Sequence, residues 1–386
     1  MTIYDELGVR TVINAATTLT VVGGSRMPDE VLAAMRSAAG AYVDMRELQA
    51  AAGARLAALT GNEAAYVTSS CAAALMLGTL GAITRGDPAA IARMPGGDGL
   101  PVEVVIHASH HIPYVRAAEL AGGRLVEIGS LEGTREDELE AALTDRTAIV
   151  LWVAGSHLPP GALDLPTTVR IAHARGVPVL VDAAAQLPPP SNLRVFTRDL
   201  GADAVAFSGG KALRGPQASG LLLGRSDFIE AVRANGSPWE RLARPMKVGK
   251  EEIAGLVRAV ELYVAADHAA QAREWTAVVE TWARDLGGVP GLQVERRATN
   301  EAGQPVPRLR VAVDEGGAGA SAAAIRGRLW DGDPRVLVLP DGPDAFYLTP
   351  DTLASSEAPI VSARVRAALL EAGGPAQPSG PRLDLV

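Results

Sequence analysis

Seven short apolar runs, separated by stretches with helical spacing, constrain the fold more than any other feature of this sequence. They are residues 64–67, 102–106, 125–128, 148–153, 177–181, 204–207 and 220–223. Their alternation with helices predicts an α/β fold with a mostly parallel, seven-stranded sheet and helices on both faces, because strands covered on both faces are continuously apolar. Ligands of such sheets bind outside the carboxyl ends of the strands, so functional residues are expected just after each run.

The pattern also predicts how the chain divides. Apolar spacing over residues 28–39 and 45–59 is typical of two helices, and a long helical stretch over residues 251–286 follows a break near residues 235–250. The predicted later strands are residues 292–295, 309–313, 336–339 and 345–348, and the predicted later helices are 320–329 and 358–372. We therefore expect an N-terminal arm (1–45), a large domain (46–245) and a smaller α+β domain (246–386) whose Pro- and Gly-rich tail frays from about residue 373.

Composition excludes several classes of function. The 386 residues carry 36 basic and 44 acidic side chains, a net charge of −8, with no block of like charges to follow a phosphate backbone. Nucleic acid is therefore not expected as the principal partner. A single cysteine permits no internal disulfide, and the N-terminus lacks the pattern of a signal peptide, so we expect a cytoplasmic protein. The longest apolar stretch, residues 71–83, is shorter than the roughly 20 residues of a spanning helix, so no membrane segment is expected.

Lysine is rare in this chain. Of the 36 basic residues only Lys211, Lys247 and Lys250 are lysines, which leaves 33 arginines. An amine can lose its proton and form an imine, whereas a guanidinium cannot. Because arginine fills most basic positions, each of the three lysines is a candidate for a role that needs an amine.

Lys211 directly follows the run at residues 204–207, in the sequence Ser-Gly-Gly-Lys. Gly209 and Gly210 permit unusual backbone angles and close approach of a cofactor, while Arg214 adds positive charge. Such a setting is suited to an aldehyde cofactor that carries a phosphate. The alternative is an ordinary exposed lysine in a glycine-rich turn.

Asp182 ends the apolar run at residues 177–181. A carboxylate at a strand end is suited to pair with the protonated pyridine nitrogen of pyridoxal 5′-phosphate (PLP), which keeps the ring electron-withdrawing. Gln186, in the same segment, is included among the candidate cofactor ligands. The alternative role of Asp182 is that of a turn or N-cap residue.

Small hydroxyl residues follow the first run and begin a helix. Ser69, Ser70, Cys71 and Ala72 are candidates to bind a phosphate, the last two through backbone N–H groups, because a helix N-terminus attracts anions. Plain N-capping by Ser69 or Ser70 is the alternative and does not exclude phosphate binding. Nothing in the sequence marks Cys71 as a nucleophile.

Three histidines, His107, His110 and His111, follow the second run. They have no clear carboxylate or cysteine partner nearby, and a strand-to-helix turn would splay them apart, so a metal site is not predicted. We favour an imidazole that stacks on a cofactor ring, with His110 as the first choice.

Several segments, in their order along the chain, resemble the fold-type I PLP-dependent enzymes. More narrowly they are similar to the family that joins selenocysteine synthase (L-seryl-tRNA selenium transferase) with D-glucosaminate-6-phosphate ammonia-lyase. The resemblance rests on residues 7–15, 23–28, 43–49, 66–74, 208–217 and 246–253. It implies that Lys211 forms a Schiff base with PLP, that Asp182 pairs with the pyridine and that His110 stacks on it. It also implies that Ser208 joins the turn at residues 69–72 in binding the phosphate, and that the protein is a homodimer or a higher oligomer.

The expected reaction is abstraction of the α-proton from an amino acid or amino-sugar acid, followed by loss of a β-substituent. A carbon–nitrogen lyase of this kind gives a 2-oxo acid and ammonia. Arg26, Arg214 and Arg244 are candidates to bind a carboxylate or phosphate of the substrate, with solvated surface arginine as the alternative. The same cofactor also serves racemases, aldolases, aminotransferases and selenium or sulfur transferases, and a non-catalytic partner protein with this fold is a further alternative. The acidic composition disfavours a seryl-tRNA substrate.

Overall fold

The computed structural model describes residues 2–370. Its strands are β1 (Val12–Asn14), β2 (Ala64–Thr68), β3 (Glu103–His107), β4 (Arg124–Ile128), β5 (Thr147–Val153), β6 (Val179–Asp182), β7 (Ala204–Ser208), β8 (Gly220–Gly224), β9 (Leu292–Arg297), β10 (Arg308–Val313), β11 (Arg335–Leu337), β12 (Leu339–Asp341) and β13 (Ala345–Leu348). Its α-helices are α1 (Ile3–Glu6), α2 (Asp29–Ala39), α3 (Met45–Thr60), α4 (Cys71–Thr84), α5 (Pro88–Ala92), α6 (Arg116–Leu120), α7 (Glu136–Ala142), α8 (Leu165–Ala174), α9 (Asn192–Arg194), α10 (Ser226–Asn235), α11 (Lys250–Ala265), α12 (His268–Leu286), α13 (Glu315–Ala318), α14 (Ala322–Asp331) and α15 (Ala358–Leu370).

The chain forms two compact units with boundaries that differ from the sequence-based division. Residues 25–266 form the large unit, and residues 2–24 with residues 267–370 form the small unit. The predicted arm is shared between them because α2 packs against α11 in the large unit, whereas β1 pairs with β11 in the small unit. The predicted helix over residues 251–286 is two helices, α11 and α12, and the boundary falls between them, where Asp267 accepts the Ala270 N–H and caps α12. The predicted fraying tail lies outside the described residues.

The large unit contains the predicted sheet. Its seven strands lie in the order β2-β8-β7-β6-β5-β3-β4. Strands β3 to β7 run parallel to their strand neighbours in that group, and β8 runs antiparallel to β7 and β2. Each strand coincides with one of the predicted apolar runs to within two residues. The prediction of a mostly parallel seven-stranded sheet with helices on both faces is confirmed.

Alternate residues of each strand enter two separate apolar layers. Val150 of β5 packs in the layer that includes α3, α8 and α11, while Ile149 and Leu151 pack in the layer that includes α4 and α10. Both layers exclude water, so neither face of a central strand tolerates polar side chains. This is why the strands appear in the sequence as continuous apolar runs.

Helix α4 is buried along nearly its whole length and lies unusually close to the sheet. A Cβ atom added to Gly78 would lie 2.7 Å from Leu180 Cδ2, and one added to Gly81 would lie 3.0 Å from Val232 Cγ2. Glycine at these positions lets the helix backbone approach strand β6 and helix α10. The N-terminus of α4 is thereby fixed beside the carboxyl ends of the strands. Within residues 2–370, no helix combines the length and apolar character needed to cross a membrane.

The small unit is the predicted α+β domain. A four-stranded antiparallel sheet in the order β12-β13-β10-β9 and a parallel β1–β11 pair pack with α12, α14 and α15. The predicted strand at residues 336–339 is two short strands, because β11 pairs with β1 and β12 pairs with β13. Trp282 is fully buried in this core and donates its indole N–H to the Ala358 carbonyl at 2.8 Å.

Asp351 gives the small unit a pH-dependent stability. Burial, and then the charge of Glu301, raises the pKa of this carboxyl to about 7. The folded protein therefore holds a proton that the unfolded chain releases near its ordinary pKa of about 4, so stability falls as pH rises from about 4 to about 7.

We expect Asp351→Asn to reduce this loss and to make the protein more stable than wild type near about pH 8. Urea unfolding at about pH 5 and about pH 8 measures the effect. Asp145→Asn, at an exposed position, is the control and is expected to leave the pH dependence unchanged. A pH dependence in Asp351→Asn equal to that of wild type would contradict the prediction.

Candidate active site

The carboxyl ends of the strands bring the predicted site residues to one edge of the sheet. Thr68 of β2 and Ser208 of β7 both lie opposite Gly220 of β8. Strands β2 and β7 therefore end at the same level of the sheet, with β8 between them. Asp182 of β6 lies opposite Val153 of β5. The strand order reverses at β3, which has β4 on one side and β5 on the other, and such switch points are where ligands of these sheets bind.

Lys211 lies in a closed turn after β7. The Gly209 N–H donates to the Ser219 carbonyl at 3.0 Å, and the Gly215 N–H donates to the Gly209 carbonyl at 2.8 Å. A Cβ on Gly209 would overlap Ser219 Oγ, so this position requires glycine. The Lys211 side chain is half-buried and forms no hydrogen bond or ion pair within residues 2–370. Its amine is therefore available for chemistry.

Asp182 is buried at the end of β6, with 5% of its surface exposed. Its Oδ1 accepts the Ala184 N–H at 3.0 Å and the Cys71 S–H at 3.5 Å, whereas Oδ2 accepts no hydrogen bond from the described part of the chain. Burial raises the pKa of this carboxyl, and the Ala184 N–H and the charge of Lys211 act in the opposite direction. The carboxylate thus lies close enough to Lys211 for the two charges to interact.

The N-terminus of α4 faces the same edge. Ser70 caps the helix by accepting the Ala73 N–H at 3.0 Å, as the N-capping alternative predicts. The N–H groups of Cys71 and Ala72 have no acceptor within the described residues. Capping leaves these two donors available to an anion, and phosphate binding by the turn stays a prediction.

His110 is buried and electrically neutral. Its Nδ1 accepts the Val153 N–H at 3.1 Å, which places the ring proton on Nε2. Burial, reinforced by the neighbouring His107, lowers its pKa to about 3. The ring lies edge-on to Trp152, with centroids 5.0 Å apart. His110 therefore offers a fixed, uncharged ring at the end of β3.

The other two histidines do not join His110 in a metal site. His107 is fully buried, its ring nitrogens have no partner in the described chain, and burial lowers its pKa to about 4. His111 is exposed and pairs with Glu127 at 2.6 Å, contrary to the expectation that it has no carboxylate partner. The pair forms because Glu127 lies on β4, beside β3, although sixteen positions separate the two residues. Residues 2–370 contain no group of three or more His, Cys, Asp or Glu suited to hold a metal.

Gln186 and Ser208 lie at the same edge. The Gln186 amide donates to the Ala154 carbonyl at 3.1 Å and so links the segments that follow β5 and β6. Ser208 is half-buried at the end of β7, and its N–H donates to the Ala184 carbonyl at 3.4 Å. Their roles as cofactor ligands stay predictions.

Two of the three candidate arginines lie together. Arg214 has a left-handed backbone, φ +54°, which is uncommon and costly for a residue with a side chain. Its Nε donates to the Arg26 carbonyl at 3.0 Å, and desolvation, followed by the charge of Arg26, lowers its pKa. No carboxylate of the described chain pairs with Arg214. Arg244 lies in an exposed 3-10 turn, Arg244–Met246.

The sequence interpretation missed His157. This residue follows β5, and its charge lowers the pKa of Asp182. Its ring lies over Gly155, where a Cβ would overlap the imidazole. The rule that functional residues follow strand ends, applied to the run at residues 148–153, was the signal that could have found it.

Comparison with known proteins places the chain in a family. The family model described as SelA, L-seryl-tRNA selenium transferase, matches residues 12–281. The chain belongs to this family. It is 35% identical to D-glucosaminate-6-phosphate ammonia lyase of Salmonella typhimurium, over 94% of this chain and 97% of that protein. It is also 35% identical to 5′-C-glycyluridine monooxygenase-decarboxylase of a Streptomyces species, over 87% of this chain and 83% of that protein.

The solved structure of D-glucosaminate-6-phosphate ammonia-lyase has the same fold. It superimposes with a TM-score of 0.85 at 33% identity and covers 96% of this chain and 98% of its own. The fold is that of the fold-type I PLP-dependent enzymes. A solved structure with this fold, described as SPT with PLP, matches 92% of this chain with a TM-score of 0.57 at 15% identity. The residues at the sheet edge fit PLP, because within residues 2–370 they provide an amine without a partner, a buried carboxylate with one unbonded oxygen and two unbonded N–H groups at a helix N-terminus.

Gly220 tests the position of the α4 turn. A Cβ at this residue would overlap the Ser70 carbonyl and Thr68 Oγ1, so Gly220→Ala must displace the turn at residues 69–72. We expect this overpacking to cost about 1–3 kcal/mol of stability and to weaken PLP binding. Urea unfolding and absorbance titration with PLP measure the two effects. Gly133→Ala is the control, because nothing lies within 4 Å of its added Cβ. Wild-type PLP affinity in Gly220→Ala would refute the prediction.

Proposed function

We propose that this protein is a PLP-dependent carbon–nitrogen lyase that acts on an amino acid or amino-sugar acid and gives a 2-oxo acid and ammonia. The observation that carries the proposal is the amine of Lys211, which has no partner within residues 2–370 and whose charge acts on the buried carboxylate of Asp182. The 35% identity to an ammonia lyase over nearly the whole chain supports this reaction class.

Lys211 is proposed to hold the cofactor and to accept the α-proton of the substrate at Nζ. The Lys211 amine forms no ion pair or hydrogen bond within residues 2–370, so no side chain of the described chain holds it away from a substrate. When bound, PLP supplies the electron sink that stabilises negative charge at the α-carbon. Departure of the β-substituent and hydrolysis then complete the elimination.

Asp182 and His110 are proposed to hold the cofactor ring. Oδ2 of Asp182 accepts no hydrogen bond within residues 2–370 and is suited to accept one from a protonated pyridine nitrogen. His110 is neutral and rotationally fixed, so its ring is suited to pack on another ring without adding charge. Gln186 lies nearby as a further candidate ligand.

The turn at residues 69–72 is proposed to bind the cofactor phosphate together with Ser208. The N–H groups of Cys71 and Ala72 and the dipole of the 14-residue helix α4 favour a dianion at this position. Ser69 and Ser208 are half-buried hydroxyl donors at the same edge.

Arg26 and Arg214 are proposed to bind an anionic group of the substrate. Their proximity concentrates positive charge that no carboxylate of the described chain neutralises at Arg214. The relative from Salmonella acts on a phosphorylated amino-sugar acid, as its name states, so we extend the proposal to substrates that carry a second acidic group. Arg244 is the third candidate.

We further propose that the protein works in the cytoplasm as a homodimer or higher oligomer. Light scattering of the holoprotein tests the oligomeric state.

A substrate screen tests the reaction class. D- and L-amino acids and phosphorylated amino-sugar acids are incubated with the holoprotein, and ammonia and 2-oxo acid are measured. Equal release of both supports a lyase. Transfer of the amino group to an added oxo acid refutes it, and so does oxygen consumption with release of carbon dioxide, which the name of the Streptomyces relative makes the second reaction to examine.

Lys211→Ala is expected to abolish the visible absorption that a lysine imine gives to bound PLP. Turnover is expected to fall roughly 100- to 10,000-fold, the usual contribution of a general acid–base group. Lys250→Ala is the control, since Lys250 pairs with Glu251 at the start of α11. Retention of the wild-type spectrum by Lys211→Ala would exclude the proposed role.

Asp182→Asn is expected to lower turnover about 100-fold, the order of magnitude for loss of one preorganised electrostatic contact. A neutral amide does not hold a proton on the pyridine nitrogen, so the ring withdraws fewer electrons. PLP affinity, measured separately, is expected to change less than turnover. A larger change in affinity than in turnover would assign Asp182 to binding alone.

A further inference from the structure

The thiol of Cys71 is a buried polar group to which the proposed reaction assigns no task. Cys71 is the first residue of α4 and has 8% of its surface exposed. Its S–H points away from the solvent and donates to Oδ1 of Asp182 at 3.5 Å. The backbone of Cys71 belongs to the proposed phosphate turn, so this one residue connects the turn to the acid.

Two elements hold the same oxygen of Asp182. The Ala184 N–H approaches Oδ1 from the segment after β6, and the Cys71 S–H approaches it from α4. The terminal torsion of an aspartate side chain is soft, so the backbone does not decide which oxygen faces the site. Two donors on Oδ1 remove this freedom and leave Oδ2 to a ligand.

The ionisation states agree with this arrangement. Burial, followed by the charge of Asp182, raises the pKa of the Cys71 thiol well above its ordinary value, so it remains an S–H donor. Burial raises the pKa of Asp182. The charges of Lys211 and His157 lower this pKa, and so does the hydrogen bond from Cys71. Loss of this hydrogen bond therefore raises the pKa of Asp182.

The geometry points to Cys71 as a positioning residue that fixes Oδ1 of Asp182 and so presents Oδ2 to the ring nitrogen of PLP. This inference rests on the proposed role of Asp182 in the proposed function. It assigns the sulfur no redox or nucleophilic chemistry; its contribution is one hydrogen bond, for which a hydroxyl is a suitable substitute.

Three variants of the holoprotein separate this role from simple packing. Cys71→Ser keeps a donor in a similar volume, Cys71→Val keeps an apolar side chain of similar size without a donor, and Cys71→Ala removes both. The readout is the pH at which the visible spectrum of bound PLP changes. Thermal unfolding of each variant checks that it is folded.

We expect Cys71→Ala and Cys71→Val to raise this midpoint by about 0.3–1 pH unit, the effect of one ordinary hydrogen bond on an acid. When the pKa of Asp182 rises, the carboxylate takes a larger share of the proton that it shares with the ring nitrogen, and the ring withdraws less electron density from the Lys211 nitrogen. That nitrogen then keeps its own proton to a higher pH. Cys71→Ser is expected to retain the wild-type midpoint.

Any other pattern overturns the inference. A wild-type midpoint in Cys71→Val, or a shifted midpoint in Cys71→Ser, assigns the residue to packing alone. Failure of the proposed PLP binding gives a different result, because the wild-type protein would then show no visible PLP spectrum at all. Failure of the lyase assignment alone is seen in the substrate screen and leaves this series of midpoints unchanged.

Discussion

The close packing of α4 against the sheet is the constraint on which the site depends. Glycines at positions 78 and 81 allow the helix backbone to approach Leu180 and Val232 so closely that an added Cβ would lie 2.7 Å and 3.0 Å from their side chains. Strand β6, which contains Leu180, ends at Asp182, and α4 begins at Cys71, so the same contact brings the helix N-terminus to the acid. The turn at the start of α4 and the acid at the end of β6 are therefore positioned by the packing of regular elements rather than by independent loops.

Burial determines the ionisation of the groups at this edge. It raises the pKa of Asp182 and Cys71 and lowers that of His110, in each case because the charged form loses its hydration. Cys71 and His110 are consequently neutral hydrogen-bonding groups. The charge of Lys211 lowers the pKa of Asp182 against the effect of burial. A site of this kind restricts where charge resides before any ligand enters.

Local pattern was sufficient for the strands and for the position of Lys211 and Asp182 at strand ends, because each follows a continuous apolar run that a doubly covered sheet requires. Their roles stay predictions. It was insufficient where a contact joins distant segments. His111 pairs with Glu127 because β4 lies beside β3, and no signal near His111 indicates this neighbour. The helical stretch at residues 251–286 continued past the unit boundary in the sequence interpretation, because a single N-cap, Asp267, marks the break between two amphipathic helices.

The sequence by itself determined the fold class, the seven-stranded sheet, the family resemblance and the residues that end the strands, since these depend on periodicity and on residue type at fixed offsets. The tertiary structure decided how those residues meet. It placed the Cys71 thiol on Oδ1 of Asp182, fixed the ring proton of His110 on Nε2 and brought Arg26 beside Arg214. Orientation of this kind depends on packing between elements far apart in the chain, and local periodicity contains no information about it.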